Sequence, residues 1–316
     1  MRRARRSTGE IHRGATAAAI AAIALILTAM PATALTPVKV VGGAGDQYWP
    51  SSNGTYLAWT DPGKSSVYVR ELSSGTTKRV NPRGTGGEQG SFVGASNVLV
   101  YDQWRKGVQG DIYFYDVATG ARTKAPAAVN RAATWEWAPM ASDNYLLFMR
   151  HKWSSTGKLL DRRLLLFDRH TGTLRTLETG VSRYFRPAFV GLTYVMWVTW
   201  EGTGKIHYWS EADGERIQLT TLAGHNQYAP FLDEASGALY FVRSRSWCGR
   251  EVTIRRGVLG SAASTVLASL PRGIDTGEVS SVAANSGTAQ LDLYFQRWSC
   301  RAEVGDIYAL QGVDTI

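Results

Sequence analysis

The sequence predicts an all-β fold, a six-bladed β-propeller of four-stranded antiparallel blades, on three observations. Six segments of about 40–50 residues repeat one strand plan along residues 35–316. A turn glycine recurs after the third strand of four successive segments, at Gly75, Gly120, Gly172 and Gly214. The 33 glycines and the 25 tryptophans and tyrosines favour strands joined by many turns, and no stretch has the 3.6-residue period of a helix.

The elements follow in order within each segment. First strands are expected to begin near Tyr48, Ser91, Glu136, Phe185, Tyr228 and Val279. Each is followed by a strongly apolar second strand: "YLAWT", "VLVYD", "YLLFM", "YVMWV", "ALYFV" and "LDLYF". Third strands come after a polar loop, as in "SVYVREL", "DIYFYDV" and "RLLLFDR", and a short polar fourth strand closes the unit, as in "TTKRV" and "ARTKA". The sixth unit lacks a fourth strand, whereas "LTPVKVVGG" precedes the first. Thr36 to Val41 is therefore expected to pair with the last blade as its outer strand, leaving no raw edge.

Residues 1–34 read as a secretory signal peptide, and residues 35–316 as a single propeller domain. Arg2, Arg3, Arg5, Arg6 and Arg13 precede the apolar run "ATAAAIAAIALILTAM" and the small-residue site Ala32-Thr33-Ala34. An uncleaved membrane anchor is the alternative. On the first reading the chain is secreted or held in the cell envelope, and no second apolar stretch is long enough to span a membrane. Without the leader the formal net charge falls from +9 to +5, which weakens any nucleic-acid reading.

The first unit, "YWPSSNGTYLAWTDPGKSSVYVRELSSGTTKRV", and "DIYFYDVATG" of the second resemble the WD-like repeat of the TolB-like propeller family. Pro50, Ser52-Asn53-Gly54, Leu57-Ala58-Trp59, Val67-Tyr68-Val69 and Ser74-Gly75 carry the likeness, which extends over roughly residues 36 to 316 as a repeat pattern. It implies six blades and names no activity.

Two phrases, "RSRSWCGREV" and "QRWSCRAEV", occupy equivalent positions in the fifth and sixth units and hold the two cysteines. Cys248 and Cys300 are expected to form a disulfide between neighbouring blades, with free thiols as the alternative. The same position carries Trp104, Trp153, Trp200, Trp247 and Trp298, with Arg105, Lys106, Lys152, Arg245, Arg250, Arg297 and Arg301 close by. Gathered on one face, flat apolar rings and positive charge would stack on sugars or aromatic groups and grip anionic ones. Alternatively, these tryptophans cover blade edges and carry solvated arginines.

The sequence contains no G-x-S-x-G, no H-E-x-x-H and no phosphate-cradling glycine loop. His151, His170, His207 and His225 fall at different blade positions, so no metal site or cofactor is expected. Asp46, Glu88, Glu136 and Glu278, near the starts of first strands, could line the channel mouth and do acid–base work, or simply hold backbone. The expected function is therefore non-enzymatic binding of an extracellular or cell-envelope glycan, peptide or protein, expected to be anionic, by a monomer. The alternative is a propeller lyase or hydrolase acting on a polyanionic polysaccharide. Convergence of carboxylates and a histidine at the channel mouth is the feature that separates the two.

Overall fold

The computed structural model describes residues 35–314 except 44, 106–108, 213–215, 219–223, 247–250, 262, 273, 277–278, 282–289 and 300–303. Six antiparallel sheets form the blades of one ring. Blade one is Tyr48–Ser52, Tyr56–Asp61, Ser66–Glu71 and Thr77–Arg79, hydrogen-bonded in that order. Blade two is Gly86–Phe92, Val98–Trp104, Asp111–Asp116 and Arg122–Lys124. Blade three is Trp135–Ala141, Tyr145–Trp153, Leu159–Asp168 and Leu174–Thr179. Blade four is Tyr184–Val190, Tyr194–Glu201, Thr203–Ser210 and Arg216–Gln218. Blade five is Asn226–Asp233, Ala238–Ser244, Thr253–Val258 and Ser264–Ser269.

The sixth blade closes the ring with both ends of the chain. Gln290–Ser299 and Val304–Asp314 are its long central strands, with Ile274–Asp275 and Val279–Ser281 on the inner side. Val38–Val41 is its outer strand, in register Val38 with Ala309 and Lys39 with Tyr308. A Lys39–Asp306 ion pair of 2.7 Å fastens the seam. The outer strand expected from Thr36 to Val41 is thus present, two residues shorter at its start.

Blades pack face to face, so their second strands are covered on both sides. That explains why these strands read as unbroken apolar runs: Leu146, Leu147, Phe148 and Met149 are all fully buried. Phe148 faces the blade-two cluster with Ile112, while Leu147 and Met149 join the blade-four cluster with Phe185 and Trp197. The short fourth strands of blades one and two are polar and largely exposed, which blunts the rim against edge pairing.

The recurring glycine has a common geometry where it is described. Gly75, Gly120 and Gly172 take φ of 72°, 75° and 73°. Each donates its N–H to the carbonyl four residues back, on Glu71, Asp116 and Asp168, at 2.8–2.9 Å. This left-handed turn is open to glycine at no steric cost. Gly214 lies outside the described residues.

First strands are the least regular. Those of blades one to five carry a register shift: Tyr48/Ser51, Gln89/Phe92, Trp137/Met140, Pro187/Phe189 and Tyr228/Phe231. Trp49, Ala138 and Ala229 sit in these bulges with φ of 54°, 47° and 51°. Blade two departs most from expectation, since its first strand begins at Gly86, five residues before Ser91. Gly86 and Gly87 hide a strand whose narrowness is needed, because a Cβ on Gly86 would lie 2.4 Å from the Trp104 ring.

Candidate ligand pocket at the channel mouth

A pocket of about 350 Å³ opens where the first strands of blades two and three begin. Its walls are indoles. Trp104 ends the second strand of blade two, Trp135 and Trp137 lie on the first strand of blade three, and Trp153 ends the second strand of that blade. Trp104 and Trp135 are tilted against each other with centroids 6.0 Å apart. Trp153 is the most open of the four, 44 % exposed.

Two carboxylates complete the pocket. Glu88 and Asp102 face each other across adjacent strands of blade two. The Glu88 N–H donates to Asp102 Oδ1 at 2.6 Å. Burial pushes Asp102 well above the usual carboxylate range, and the Glu88 charge adds to the shift. Burial also raises Glu88, opposed by Arg186. Two acids so placed resist ionising together, and one proton is retained more readily than in water.

His151 lines the same pocket, between Trp137 at 5.0 Å and Trp153 at 5.8 Å by ring centroids. Its Nε2 accepts a hydrogen bond from Arg162 Nε at 3.2 Å. Burial first, then the Arg162 charge, pull its pKa down to about 4, so the imidazole is neutral at pH 7. Beside the pocket, Arg186 of blade four places its guanidinium carbon 4.1 Å from the Trp49 ring centroid of blade one and 6.0 Å from that of Trp137. Blades one and four are opposite in a six-bladed ring, so this cation lies across the channel axis.

Three buried polar atoms at this pocket have no hydrogen-bond partner: Glu88 Oε2, Asp102 Oδ2 and Trp137 Nε1. An unmade buried hydrogen bond costs about 1–3 kcal/mol, and these three atoms are enclosed by the side chains around them.

The residues expected from the repeated phrase are distributed as follows. Trp104 and Trp153 share the pocket, and Lys152 and Arg105 are exposed next to them in sequence. Trp200 packs instead against Tyr184, 5.3 Å away. Trp298 is half-buried in blade six, and Arg297 lies over Tyr308 at 5.0 Å. Arg245 forms an exposed ion pair with Glu251 at 3.2 Å. These tryptophans occupy strand ends more than loops. Lys106, Trp247, Cys248, Arg250, Cys300 and Arg301 lie outside the described residues, and so does the expected disulfide.

Of the four channel carboxylates expected from the sequence, Glu88 alone lines the pocket among those described. Asp46 Oδ1 holds the Gly305 N–H at 3.1 Å, and Glu136 is buried against Arg150 at 2.7 Å. Glu278 lies outside the described residues. Sequence reasoning missed Asp102, Trp135, Trp137 and Arg186. A signal for the first strands was present in "YWP", "WAP" and "YAP" (Tyr48, Trp137 and Tyr228), which mark the bulge in three blades. Among the described residues no group of three or more His, Cys, Asp or Glu side chains could hold a metal ion.

No family model matches the sequence, and no curated protein is significantly similar to it. Solved structures are similar in fold. TolB from Acinetobacter baumannii aligns at 14% identity and a TM-score of 0.51, covering 81% of this chain and 63% of that one. The chain therefore spans less than two thirds of that TolB. A TolB candidate from Agrobacterium tumefaciens aligns at 10% identity and a TM-score of 0.54, covering 85% and 91%. An oligogalacturonate lyase in complex with manganese aligns at 12% identity and a TM-score of 0.51, covering 88% and 96%. With its six blades and its closing N-terminal strand, residues 35–314 have the fold of a TolB-like β-propeller.

Proposed function

We propose that the protein is an exported, non-enzymatic binding propeller that seats one ring of a saccharide in the tryptophan pocket of blades two and three. The observation that carries this reading is the pocket of about 350 Å³ walled by the indoles of Trp104, Trp135, Trp137 and Trp153, with Glu88, Asp102 and His151 set among them. Glu88 and Asp102 retain a proton more readily than in water, so the acid pair can donate as well as accept. A sugar hydroxyl likewise both donates and accepts, which matches such a pair. The apolar face of a sugar ring suits the indoles, and the pocket is near the lower end of ligand-site volumes. Export is part of the proposal and rests on the leader-like residues 1–34. Exposed Arg105 beside Trp104 and the positive net charge favour acidic glycans among the candidates.

A second reading, a lyase or hydrolase acting on a polyanionic polysaccharide, draws on the convergence of Glu88, Asp102 and His151 on one pocket. Oligogalacturonate lyase shares the fold, yet fold does not carry an activity. The local bonding favours binding. His151 Nε2 is occupied by Arg162, and Asp102 already accepts from the Glu88 and Ala138 backbone.

An array of cell-wall, capsular and plant-wall glycans probed with the purified protein tests the proposal. Capture of a defined saccharide without chain cleavage supports it; cleavage of a captured polysaccharide supports the second reading. Capture of no glycan overturns both.

A further inference from the structure

On the opposite side of the same strand end lies a second recess with different chemistry. Along Tyr145–Trp153 side chains alternate between blade faces, so His151 and Trp153 share one face while Arg150 and Lys152 take the other. The recess on the Arg150 face measures about 330 Å³ and is lined by Arg131, Arg150, Lys152 and Arg163, with Thr134 and Asp161. Four cations thus border one cavity.

Their commitments differ. Arg150 is 7 % exposed and fixed: Nε donates to Glu136 Oε1 at 2.7 Å, and Nη2 donates to the carbonyls of Ala128 at 3.0 Å and Val129 at 2.6 Å. Arg163 is paired with Asp161 at 2.7 Å. Among the described residues, the Arg131 and Lys152 side chains have neither a hydrogen bond nor an ion pair. Counting Glu136 and Asp161 against the four cations leaves two positive charges uncompensated. Arg131 and Arg163 each oppose the charge on Arg150, whose pKa is lowered chiefly by burial. Like charges gathered without an opposing partner cost free energy unless an anion joins them.

The loop that supplies Arg131 is itself built. Ala133 is held at φ 69°, a conformation rare for alanine, and its N–H is taken by Gln109 Oε1 at 2.9 Å. Thr134 Oγ1 donates to Glu136 Oε1 at 2.6 Å, tying the loop to the buried Arg150 ion pair.

We infer that this recess is an oxyanion site, which takes a phosphate, sulfate or carboxylate group between Arg131 and Lys152 over the fixed Arg150. The inference stands apart from the saccharide reading, since it uses the other face of the blade and none of the pocket tryptophans. Arginine supplies paired donors to such a group and lysine a point charge, an arrangement that suits a tetrahedral anion.

The test is thermal unfolding of the purified protein in inorganic phosphate, sulfate and acetate, each against chloride at constant ionic strength. A bound anion raises Tm with the logarithm of its concentration above Kd. The expected result is a rise in Tm with phosphate or sulfate in the wild type that is lost in the Arg131→Ala/Lys152→Ala double variant. Acetate reports whether a planar carboxylate suffices. Arg131 and Lys152 are exposed and unpaired among the described residues, so the variant's Tm in chloride should equal or slightly exceed that of the wild type as repulsion around Arg150 is relieved. Equal shifts in both proteins would show general salt exclusion from the surface and overturn the inference. Absence of any shift with all three anions would overturn it equally.

Discussion

Arg186 of blade four lies 4.1 Å over the Trp49 ring of blade one, so two opposed blades meet through a cation and an indole across the channel axis. Arg186 also lowers the pKa values of Glu88 and Asp102, against the upward push of burial. The arginine is therefore the counter-charge to the acid pair. Arg186→Met, which keeps an apolar stem but no charge, should lower stability at pH 7 by about 1–2 kcal/mol, since it removes the cation–π contact and the ion partner together. Urea unfolding of both proteins at pH 7 and pH 5 checks this; the deficit should shrink at pH 5, where the acids take up protons.

The acid pair itself sets a pH dependence whose sign follows from linkage. Both folded-state pKa values are raised, so the folded protein holds protons that the unfolded chain releases above about pH 4. The contribution to stability is present below pH 4 and is lost as pH rises through the folded pKa values. Asp102→Asn keeps the oxygen that accepts from the Glu88 N–H and removes the charge. Its Tm at pH 7.5 should exceed that of the wild type by roughly 2–4 °C, the response of a domain of this size to about 1 kcal/mol, and the gap should close at pH 4. Differential scanning across that range reads it directly.

His151 acts in the opposite direction. Its folded pKa of about 4 is below the ordinary value of 6.5, so the stability it contributes is present above pH 6.5 and is lost as pH falls toward 4. His151→Gln should flatten the acid limb of the stability profile between pH 6.5 and 4 by up to about 3 kcal/mol. Guanidinium titrations at pH 6.5, 5.5 and 4.5 on the two proteins measure the difference.

Steric demands at the inner strand can be tested at Gly90. A Cβ there would lie 1.7 Å from the Pro139 carbonyl oxygen of the neighbouring blade. Gly90→Ala must therefore part blades two and three, and a loss of about 2–3 kcal/mol is expected from overpacking against backbone. Gly84→Ala is the control, since that position is open; its φ of 77° limits its cost to local backbone strain.

The blade plan was legible because its signals are local. The second strands show as apolar runs since both faces are covered, and Gly75, Gly120 and Gly172 mark a turn that requires φ above zero. Closure by Val38–Val41 was legible from a missing strand at one end and a spare one at the other. The pocket was only half legible. Trp104 and Trp153 stand at repeat-equivalent positions and were visible as such, but Asp102 closes an apolar strand and reads as its polar end. Glu88 and Asp102 are adjacent through strand register, whereas Arg186 reaches them from two blades away, and neither relation is written in spacing. The first strand of blade two was placed late because Gly86, Gly87 and Gly90 mask its pattern; each is small because an indole or backbone from a neighbouring element needs the room.

The central claim is that the indoles of the pocket hold a sugar ring beside Glu88 and Asp102, and calorimetric titration of a glycan captured on the array tests it most directly. Trp153→Ala removes an exposed stacking surface, and Trp137→Phe trims a second indole wall while keeping a ring. The account predicts that Trp153→Ala weakens binding by about 1–3 kcal/mol, that Trp137→Phe weakens it by about 1 kcal/mol, and that Trp153→Ala leaves Tm unchanged. Undiminished affinity in both variants, or a wild-type protein that binds no glycan at all, would contradict it.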